Sequence, residues 1–383
     1  MRPAPRRSLP LRRPARSWGG LLLLAAGLHS APASAQQPRQ LESVLSFKTV
    51  KVADGIYAFI TPEERSGFQA GNSIAVIGDD GVLVIDTGNL PSSTRRQIAE
   101  LRKLTSLPVR YVVNTHWHPD HNLGNAEYRA AFPGVTIVGT TATRDGIIAR
   151  VPVYFGQMKG FLPTDSVLRL RLSTGKTRDG TPLSEAQRVM WRIDVDDFAE
   201  FYPEVLTAKA EPPTLLVDDS LTLTLGRREV KVISLGRGNT AGDSFVYVPD
   251  AKALITGDLL TMPCPFPGTA FFGDWVRDLD YLKRLNAAVI VPGHGDVQHD
   301  YQYLDLVREL LVYTRAQARA AVKDGLGFDE ALKRVSFADF IPRFSGGDLV
   351  RTDAFNSFYV FAAVQRAYDE ARYLAEGFLP RAP

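Results

Sequence analysis

The chain has 383 residues, a formal net charge of +3 and one cysteine, so an internal disulfide is excluded. Six arginines and no acidic residue lie within residues 1–35, and removing these six charges leaves the rest of the chain at −3. The basic balance of the whole chain therefore belongs to its N-terminal segment. It gives no indication of a nucleic-acid partner or of an anionic membrane surface.

The N-terminal segment has the three parts of a secretory signal peptide. Its arginines precede an apolar run at residues 19–28, and the small-x-small pattern Ala33-Ser34-Ala35 follows. The apolar run is too short to span a bilayer, which takes roughly 20 residues. We therefore predict a signal peptide at residues 1–35, a periplasmic or secreted location, and no stable membrane insertion after its removal.

The first half of the remaining chain alternates short strands with helices. Residues 72–78 and 81–85 are apolar runs joined by two aspartates, which predicts a hairpin. A helix is predicted to begin at the capping residues Ser92 and Ser93 and to end near Leu104. Residues 109–113 then have the composition of a buried strand.

The second half repeats this plan. It contains predicted strands at residues 221–225 and 230–235, and a predicted hairpin formed by residues 244–248 and 253–256. Together the two halves predict a layered α/β (α+β) protein.

Two additions to this layered core are predicted. Residues 146–212 are longer than an ordinary connection and favour an inserted helical pair, which either packs on the core or acts as a lid over a site. Residues 299–383 are predicted to be a C-terminal helical extension, and residues 353–375 one long helix within it.

Histidine is scarce in this chain, yet three of the six histidines cluster. His116, His118 and His121 fall within six positions, together with Asp120, directly after the strand predicted at residues 109–113. The spacing H-x-H-x-D-H lets alternate side chains point to different metal positions. Imidazole nitrogen and carboxylate oxygen are ligands that zinc favours, so the cluster predicts a metal site.

The segment His116-Trp117-His118-Pro119-Asp120-His121 resembles the hallmark loop of the metallo-β-lactamase superfamily. Other segments resemble the family's remaining motifs and follow in the family's order: Asp86-Thr87-Gly88, GRGNTAGD at residues 236–243, Thr256-Gly257-Asp258 and Pro292-Gly293-His294-Gly295. The resemblance implies a catalytic domain at residues 36–298. Its expected fold is an αββα sandwich, in which two sheets are faced by helices, with the metals at one edge between the sheets.

The resemblance also implies two adjacent metal positions and one supporting carboxylate. Asp86 resembles the family's buried aspartate that holds the histidine loop in place without binding the metal. The implied ligands are His116 and His118 at the first position, Asp120, His121 and His294 at the second, and Asp258 bridging both.

One residue departs from the family pattern. Asn239 stands where members usually have a histidine that completes the first position. Its neutral amide oxygen is a much weaker zinc donor than imidazole. We therefore expect one firmly bound zinc at the second position and a weak or partly filled first position, with Asn239 as a weak ligand or an oxyanion donor.

The implied activity is hydrolysis of a small ester, lactone, amide or β-lactam by a metal-activated water. Asp120 or Asp258 is expected to orient the water and to pass a proton to the leaving group. His118 is a further catalytic candidate, as a hydrogen-bond donor to the developing oxyanion.

Three other functions stay open. One is β-lactamase activity proper, although Asp258 stands where the familiar antibiotic-destroying subclasses carry cysteine or serine. A second is iron-dependent sulfur dioxygenation, which in relatives needs the histidine that Asn239 replaces. The third is a non-catalytic metal- or ligand-binding protein on a degenerate site. The expected partner is a small-molecule substrate.

Overall fold

A computed structural model of the chain describes residues 46–61, 70–177 and 180–375. The signal peptide predicted at residues 1–35 lies outside these residues. Across the ranges that are described, no helix combines the length and the apolar character needed to cross a membrane.

In the described part of the chain, seven strands form the first sheet, and their order in space follows their order in the sequence. The first four run antiparallel and the last three continue parallel to the fourth. They are β1 (Lys48–Ala53), β2 (Ile56–Ile60), β3 (Ser73–Ile77), β4 (Val82–Ile85), β5 (Val109–Val113), β6 (Thr136–Gly139) and β7 (Leu215–Leu216). The predicted hairpin at residues 72–85 is β3 and β4, and the strand predicted at residues 109–113 is β5.

Within the same described ranges, five strands form the second sheet, in the spatial order β12, β11, β10, β9, β8. Only β11 and β12 are parallel, and the other neighbours are antiparallel. The strands are β8 (Ser220–Leu225), β9 (Arg228–Gly236), β10 (Asp243–Val248), β11 (Ala253–Ile255) and β12 (Val289–Val291). The strands predicted in the second half are therefore confirmed, as is the hairpin that β10 and β11 form.

The helices near the first sheet include α1 (Pro91–Leu104), α2 (Pro119–Asn122) and α3 (Asn125–Ala131). The predicted serine cap of α1 is wrong, because the helix begins at Pro91 and both serines lie inside its first turn. A distant carboxylate does the capping instead. The backbone N–H and the hydroxyl of Ser92 both donate to Glu204.

The burial of β4 shows why the chain forms layers. Leu83 and Ile85 lie in the apolar core between the two sheets, whereas Val82 and Val84 lie in a second core shared with α1. A strand covered on both faces reads as a continuous apolar run, because successive side chains point to opposite faces. The outer face of the second sheet is covered by helices in the same way. The expected αββα sandwich is confirmed.

The predicted helical pair between the halves is α4 (Thr141–Thr174) and α5 (Glu185–Val205). Thr140 caps the start of α4 by accepting from the Thr143 N–H, and Gly175 ends it in the left-handed conformation. The pair packs on the core through a cluster that includes Val151 and Tyr202. Helix α4 begins at Thr141, five residues before the predicted start of the insertion at residue 146.

A 3₁₀ turn (Gly257–Leu259) and α6 (Phe272–Arg284) lie between β11 and β12. After residue 299 the described part of the chain is helical, as predicted, and comprises α7 (Gln302–Lys323), α8 (Phe328–Arg334), α9 (Ile341–Ser345), α10 (Leu349–Ala354), a π-helical turn (Phe355–Val360) and α11 (Phe361–Ala375). The single helix predicted at residues 353–375 is wrong, because the π-helical turn separates α10 from α11. Phe355 and Tyr359 within this turn are fully buried, so tertiary packing sets the break.

Candidate metal centre

Every predicted site residue follows the carboxyl end of a strand. Asp86 follows β4, the histidine loop follows β5, Asn239 follows β9, Asp258 follows β11 and His294 follows β12. Since these strand ends meet at one edge of the sandwich, residues far apart in the sequence come together there. The fold therefore assembles one site from both sheets.

The predicted ligands form two overlapping groups whose donor atoms all lie within 4.8 Å of one another in each group. Asp258 belongs to both groups. The first group also contains His116 and His118, and the second also contains Asp120, His121 and His294. The structure thus brings together all six residues in the two sets expected from the sequence.

Donor atoms converge closely in the second group. His294 Nε2 lies 3.0 Å from Asp120 Oδ2 and 3.2 Å from His121 Nε2. His121 Nε2 is also 3.1 Å from Asp258 Oδ1. Imidazole nitrogens and carboxylate oxygens this close, and largely buried, suit a divalent transition metal ion.

The first group has fewer ligands. His116 Nε2 lies 2.9 Å from His118 Nδ1 and 3.5 Å from Asp258 Oδ2. Because the other oxygen of Asp258, Oδ1, faces His121, the two oxygens of this carboxylate face different groups. This geometry allows Asp258 to bridge two metal positions.

Neighbouring groups hold each histidine ring of the loop by its other nitrogen. His121 Nδ1 donates to Asp86 Oδ2 at 2.8 Å, and His116 Nδ1 donates to Thr115 Oγ1 at 3.0 Å. Thr115 Oγ1 in turn donates to Asp86 Oδ2 at 2.7 Å. These hydrogen bonds place a ring proton on Nδ1 of both histidines and direct Nε2 at the ligand groups. Asp86 therefore lies where the sequence predicted a supporting carboxylate.

His118 uses the opposite nitrogen. Its Nε2 donates to Thr269 Oγ1 at 3.1 Å, which leaves Nδ1 free towards His116. Thr269 Oγ1 donates to the carbonyl oxygen of Asn239 at 3.0 Å. Thr269 was not identified from the sequence, because it is 151 positions from His118 and belongs to no recognised motif.

Asn239 occupies the site edge but is engaged elsewhere. Its Nδ2 donates to the carbonyl oxygen of Phe266 at 2.7 Å. Its Oδ1 is buried and accepts no hydrogen bond from the described residues. A buried carbonyl oxygen without a partner is costly, so a nearby cation or water fits this position.

Burial and charge set the protonation of the metal-free cluster. Burial opposes a charge on His121, but the carboxylates of Asp258, Asp120 and Asp86 raise its pKa well above the usual value. Burial and the neighbouring His116 lower the pKa of His118 to about 3. Although burial opposes their ionisation too, nearby histidines hold the pKa values of Asp120 and Asp258 well below the usual range. The ligand carboxylates are therefore ionised at neutral pH.

Two further buried acids lie beside the site and were given no role from the sequence. Asp243 accepts a hydrogen bond from the Thr240 N–H at 2.6 Å. Asp278 lies close to Asp243, since both carboxylates border Gly238 at the position that a Cβ would take there. Burial raises the pKa of Asp243 to about 6. Burial, Asp243 and Asp274 raise the pKa of Asp278 to about 8. Asp243 closes the recognised GRGNTAGD segment, whereas nothing in the sequence marked Asp278.

Asp278 is expected to make stability depend on pH. The folded chain keeps a proton on Asp278 up to about pH 8, whereas the unfolded chain releases it near 3.8. The free energy of unfolding therefore falls as the pH rises through this window. Asp278→Asn, which mimics the protonated acid, should raise the free energy of unfolding by about 1–3 kcal/mol at pH 7.5 and by little at pH 4.5.

Urea denaturation at both pH values measures this effect. Asp280→Asn is the control, because Asp280 lies on the same helix but is partly exposed and paired with Arg308. An equal gain at pH 4.5 and pH 7.5 in the Asp278 variant would contradict the expectation.

Comparison with known proteins agrees with this architecture. Residues 66–294 match the family model of the metallo-beta-lactamase superfamily. The chain is 26% identical over 272 residues to the linear primary-alkylsulfatase of Pseudomonas sp., a match that covers 67% of this chain and 48% of that protein. It is 23% identical over 301 residues to the metallo-beta-lactamase type 2 of Elizabethkingia meningoseptica, covering 75% of this chain and 93% of that protein.

A solved structure shows the same fold. The stereoselective inverting sec-alkylsulfatase Pisa1 from Pseudomonas sp. superposes with a TM-score of 0.56 at 17% identity, over 84% of this chain and 50% of that chain. The chain thus spans about half the length of the alkylsulfatases it matches. Since the family model covers more than half of the sequence, the chain belongs to the metallo-β-lactamase superfamily of metallo-hydrolases.

Proposed function

We propose that the chain is an exported, zinc-dependent hydrolase of a small ester, lactone, amide or β-lactam. The observation that carries the proposal is the pair of ligand groups that share Asp258. Because each loop histidine makes a hydrogen bond through its other ring nitrogen, the donor nitrogens already face these groups, and metal binding would displace the second ring proton of His121. Export rests on the sequence of residues 1–35.

In this proposal the second ligand group holds one zinc firmly, since it has two imidazoles and two carboxylates. The first group holds a weaker metal, on His116, His118 and Asp258, with the Asn239 oxygen as a weak fourth donor. When bound, zinc acidifies a coordinated water to a pKa of about 7 and polarises the substrate oxygen.

Asp120 is the best placed group for proton transfer. Its side chain is 25% exposed, whereas that of Asp258 is 4% exposed, so Asp120 faces the opening of the site. Its low pKa keeps it ionised and able to accept a proton from the attacking water. Asp258 orients the water and does not leave the cluster.

Of the two roles expected for His118, the geometry favours metal binding. Its Nε2–H is already donated to Thr269, and its Nδ1 faces His116. No N–H of this ring is left for a substrate oxyanion. Asn239 donates one of its two amide N–H groups to the carbonyl of Phe266, so its second N–H and its oxygen keep both proposed roles, oxyanion donor and weak ligand.

A second candidate is hydrolysis of a sulfate ester. It is favoured by the 26% identity with the linear primary-alkylsulfatase, although this chain spans 48% of that protein. Sulfate esters therefore belong in the substrate panel beside carboxylic esters, lactones and β-lactams. Clear preference for an alkyl sulfate would replace the leading substrate class and keep the metal-dependent hydrolase.

Metal analysis combined with this panel tests the proposal. Protein purified without chelators is expected to contain about one zinc per chain, and chelation is expected to abolish hydrolysis. Iron in place of zinc, with oxygen uptake on a thiol substrate, would favour the sulfur dioxygenase. Absence of bound metal after zinc is supplied would favour the non-catalytic binding protein.

Asn239→His should raise the zinc content from about one to about two per chain. The imidazole supplies the donor that the family pattern places there, and it should tighten the first position by about tenfold or more. Elemental analysis after dialysis against limiting zinc measures this. Asn239→Ala controls for loss of the hydrogen bond to Phe266, and two tightly bound zincs in the unaltered chain would contradict the prediction.

A further inference from the structure

Phe266 lies beside the metal centre without being part of it, and Phe358 lies beside Phe266. The ring centroid of Phe266 is 5.9 Å from that of His118, and the ring of Phe358 is 6.4 Å from Phe266. Phe266 is 37% exposed and Phe358 is half-buried. Large apolar side chains that remain exposed next to polar donor groups are typical of ligand-binding pockets.

The position of Phe266 is fixed by the site itself. Its carbonyl oxygen accepts from Asn239 Nδ2 at 2.7 Å. Three residues later, Thr269 contacts both His118 Nε2 and the carbonyl of Asn239. Hydrogen bonds thus connect the segment around Phe266 to both Asn239 and His118. They fix the position of the Phe266 ring beside any substrate bound at the first ligand group.

Phe358 belongs to the C-terminal extension. It lies in the π-helical turn, whose Phe355 and Tyr359 are buried against Phe337 with ring centroids 6.0 and 5.5 Å away. Tyr359 also makes a hydrogen bond of 2.8 Å with Thr314. These contacts anchor the turn and leave Phe358 as its half-buried aromatic side chain towards Phe266. Such π-turns often occur at functional sites.

The inserted helices support the same region. Val350, on α10 just before the π-helical turn, packs against a cluster of α4 and α5 that includes Leu168 and Trp191. The insertion and the C-terminal extension therefore contact each other just before the turn that carries Phe358.

We propose that Phe266 and Phe358 form an apolar subsite that binds the hydrocarbon chain of the substrate beside the metal centre. The inference rests on the proposed ester hydrolysis and adds the preferred substrate class, an ester with an apolar chain. Each methylene that the two rings remove from water should raise kcat/KM by about fourfold, which corresponds to the transfer free energy of one methylene group.

The test is a series of p-nitrophenyl esters, from acetate through butyrate to octanoate, with the zinc-loaded full chain. We expect kcat/KM to rise along the series. Phe358→Ala should lower kcat/KM for octanoate by about tenfold and for acetate by less than twofold. Phe358→Leu, which keeps an apolar side chain, should recover most of the loss.

Phe132→Ala is the matched control. Phe132 is also half-buried and packs on Tyr128 and Arg102, outside the metal centre. It should leave the chain-length profile unchanged. Far-ultraviolet circular dichroism and thermal melting of each variant show whether it is folded. A flat profile in the unaltered chain, or an unchanged profile in a folded Phe358→Ala variant, would overturn the subsite.

A binding measurement separates this inference from the proposed function. Calorimetric titration with octanoate and with acetate reports the subsite without requiring turnover. If octanoate binds about tenfold more weakly to Phe358→Ala than to the unaltered chain, the subsite is supported, even if no ester is hydrolysed. Lack of ester hydrolysis by the unaltered chain would reject the ester hydrolase but not the subsite. Equal affinity for octanoate and acetate would reject the subsite whatever the activity.

Discussion

Asp258→Ala is expected to remove the bound metal and to lower kcat/KM by about a thousandfold or more. The two oxygens of Asp258 face His116 at 3.5 Å and His121 at 3.1 Å, so this one substitution removes a ligand from both groups. It also leaves His121 with two of the three carboxylates that balance its charge in the metal-free chain. No other ligand belongs to both groups.

Elemental analysis and kinetics on the same preparation measure this loss. Asp296→Ala is a suitable control, because Asp296 lies two residues after His294 but is 63% exposed and pairs only with Lys48 among the described residues. The control should keep its metal and its rate. If Asp258→Ala retained about one zinc and a tenth of the activity, Asp258 would not be the bridging ligand.

Asp86→Asn is expected to lower the free energy of unfolding by about 3–5 kcal/mol in the metal-free chain. Asp86 is almost fully buried, and its carboxylate accepts from the Thr115 N–H at 2.8 Å, from the Thr115 hydroxyl and from His121. An amide in its place has one oxygen where the carboxylate has two. At least one buried donor is then left without an acceptor.

Asparagine is chosen because of the backbone. Asp86 has φ of 52°, a left-handed conformation that asparagine tolerates and alanine does not, so the variant tests the hydrogen bonds without added strain. Asp54→Asn is the control, since the side chain of Asp54 is 98% exposed. Urea denaturation at pH 7 measures both variants. A loss below about 1 kcal/mol would show that the network is dispensable for folding.

The metal affinity of Asp86→Asn should fall as well, by about 10–100-fold. The substituted side chain no longer offers His121 Nδ1 a charged acceptor. The ring is then held less firmly, and its ligand nitrogen becomes less basic. Zinc titration with a competing chelator detects this change independently of stability.

The sequence determined the family, the layers and the six candidate ligands. His116, His118, Asp120 and His121 are close because their spacing is short, and a loop after a buried strand has to lie at a sheet edge. The motifs around Asp258 and His294 carried enough local identity to be recognised separately. Strand β4 was predicted correctly because burial on both faces leaves a continuous apolar run in the sequence.

Only the tertiary structure decided how these parts are joined. Glu204 caps α1 from 112 positions away, Thr269 supports His118 from 151 positions away, and Phe358 reaches Phe266 from a turn whose break depends on buried neighbours. None of these residues stands out locally, because a carboxylate, a hydroxyl or a phenylalanine fits many environments. Local patterns record propensity and periodicity over a few residues. Which distant groups meet is set by how the layers and the two helical additions pack against one another.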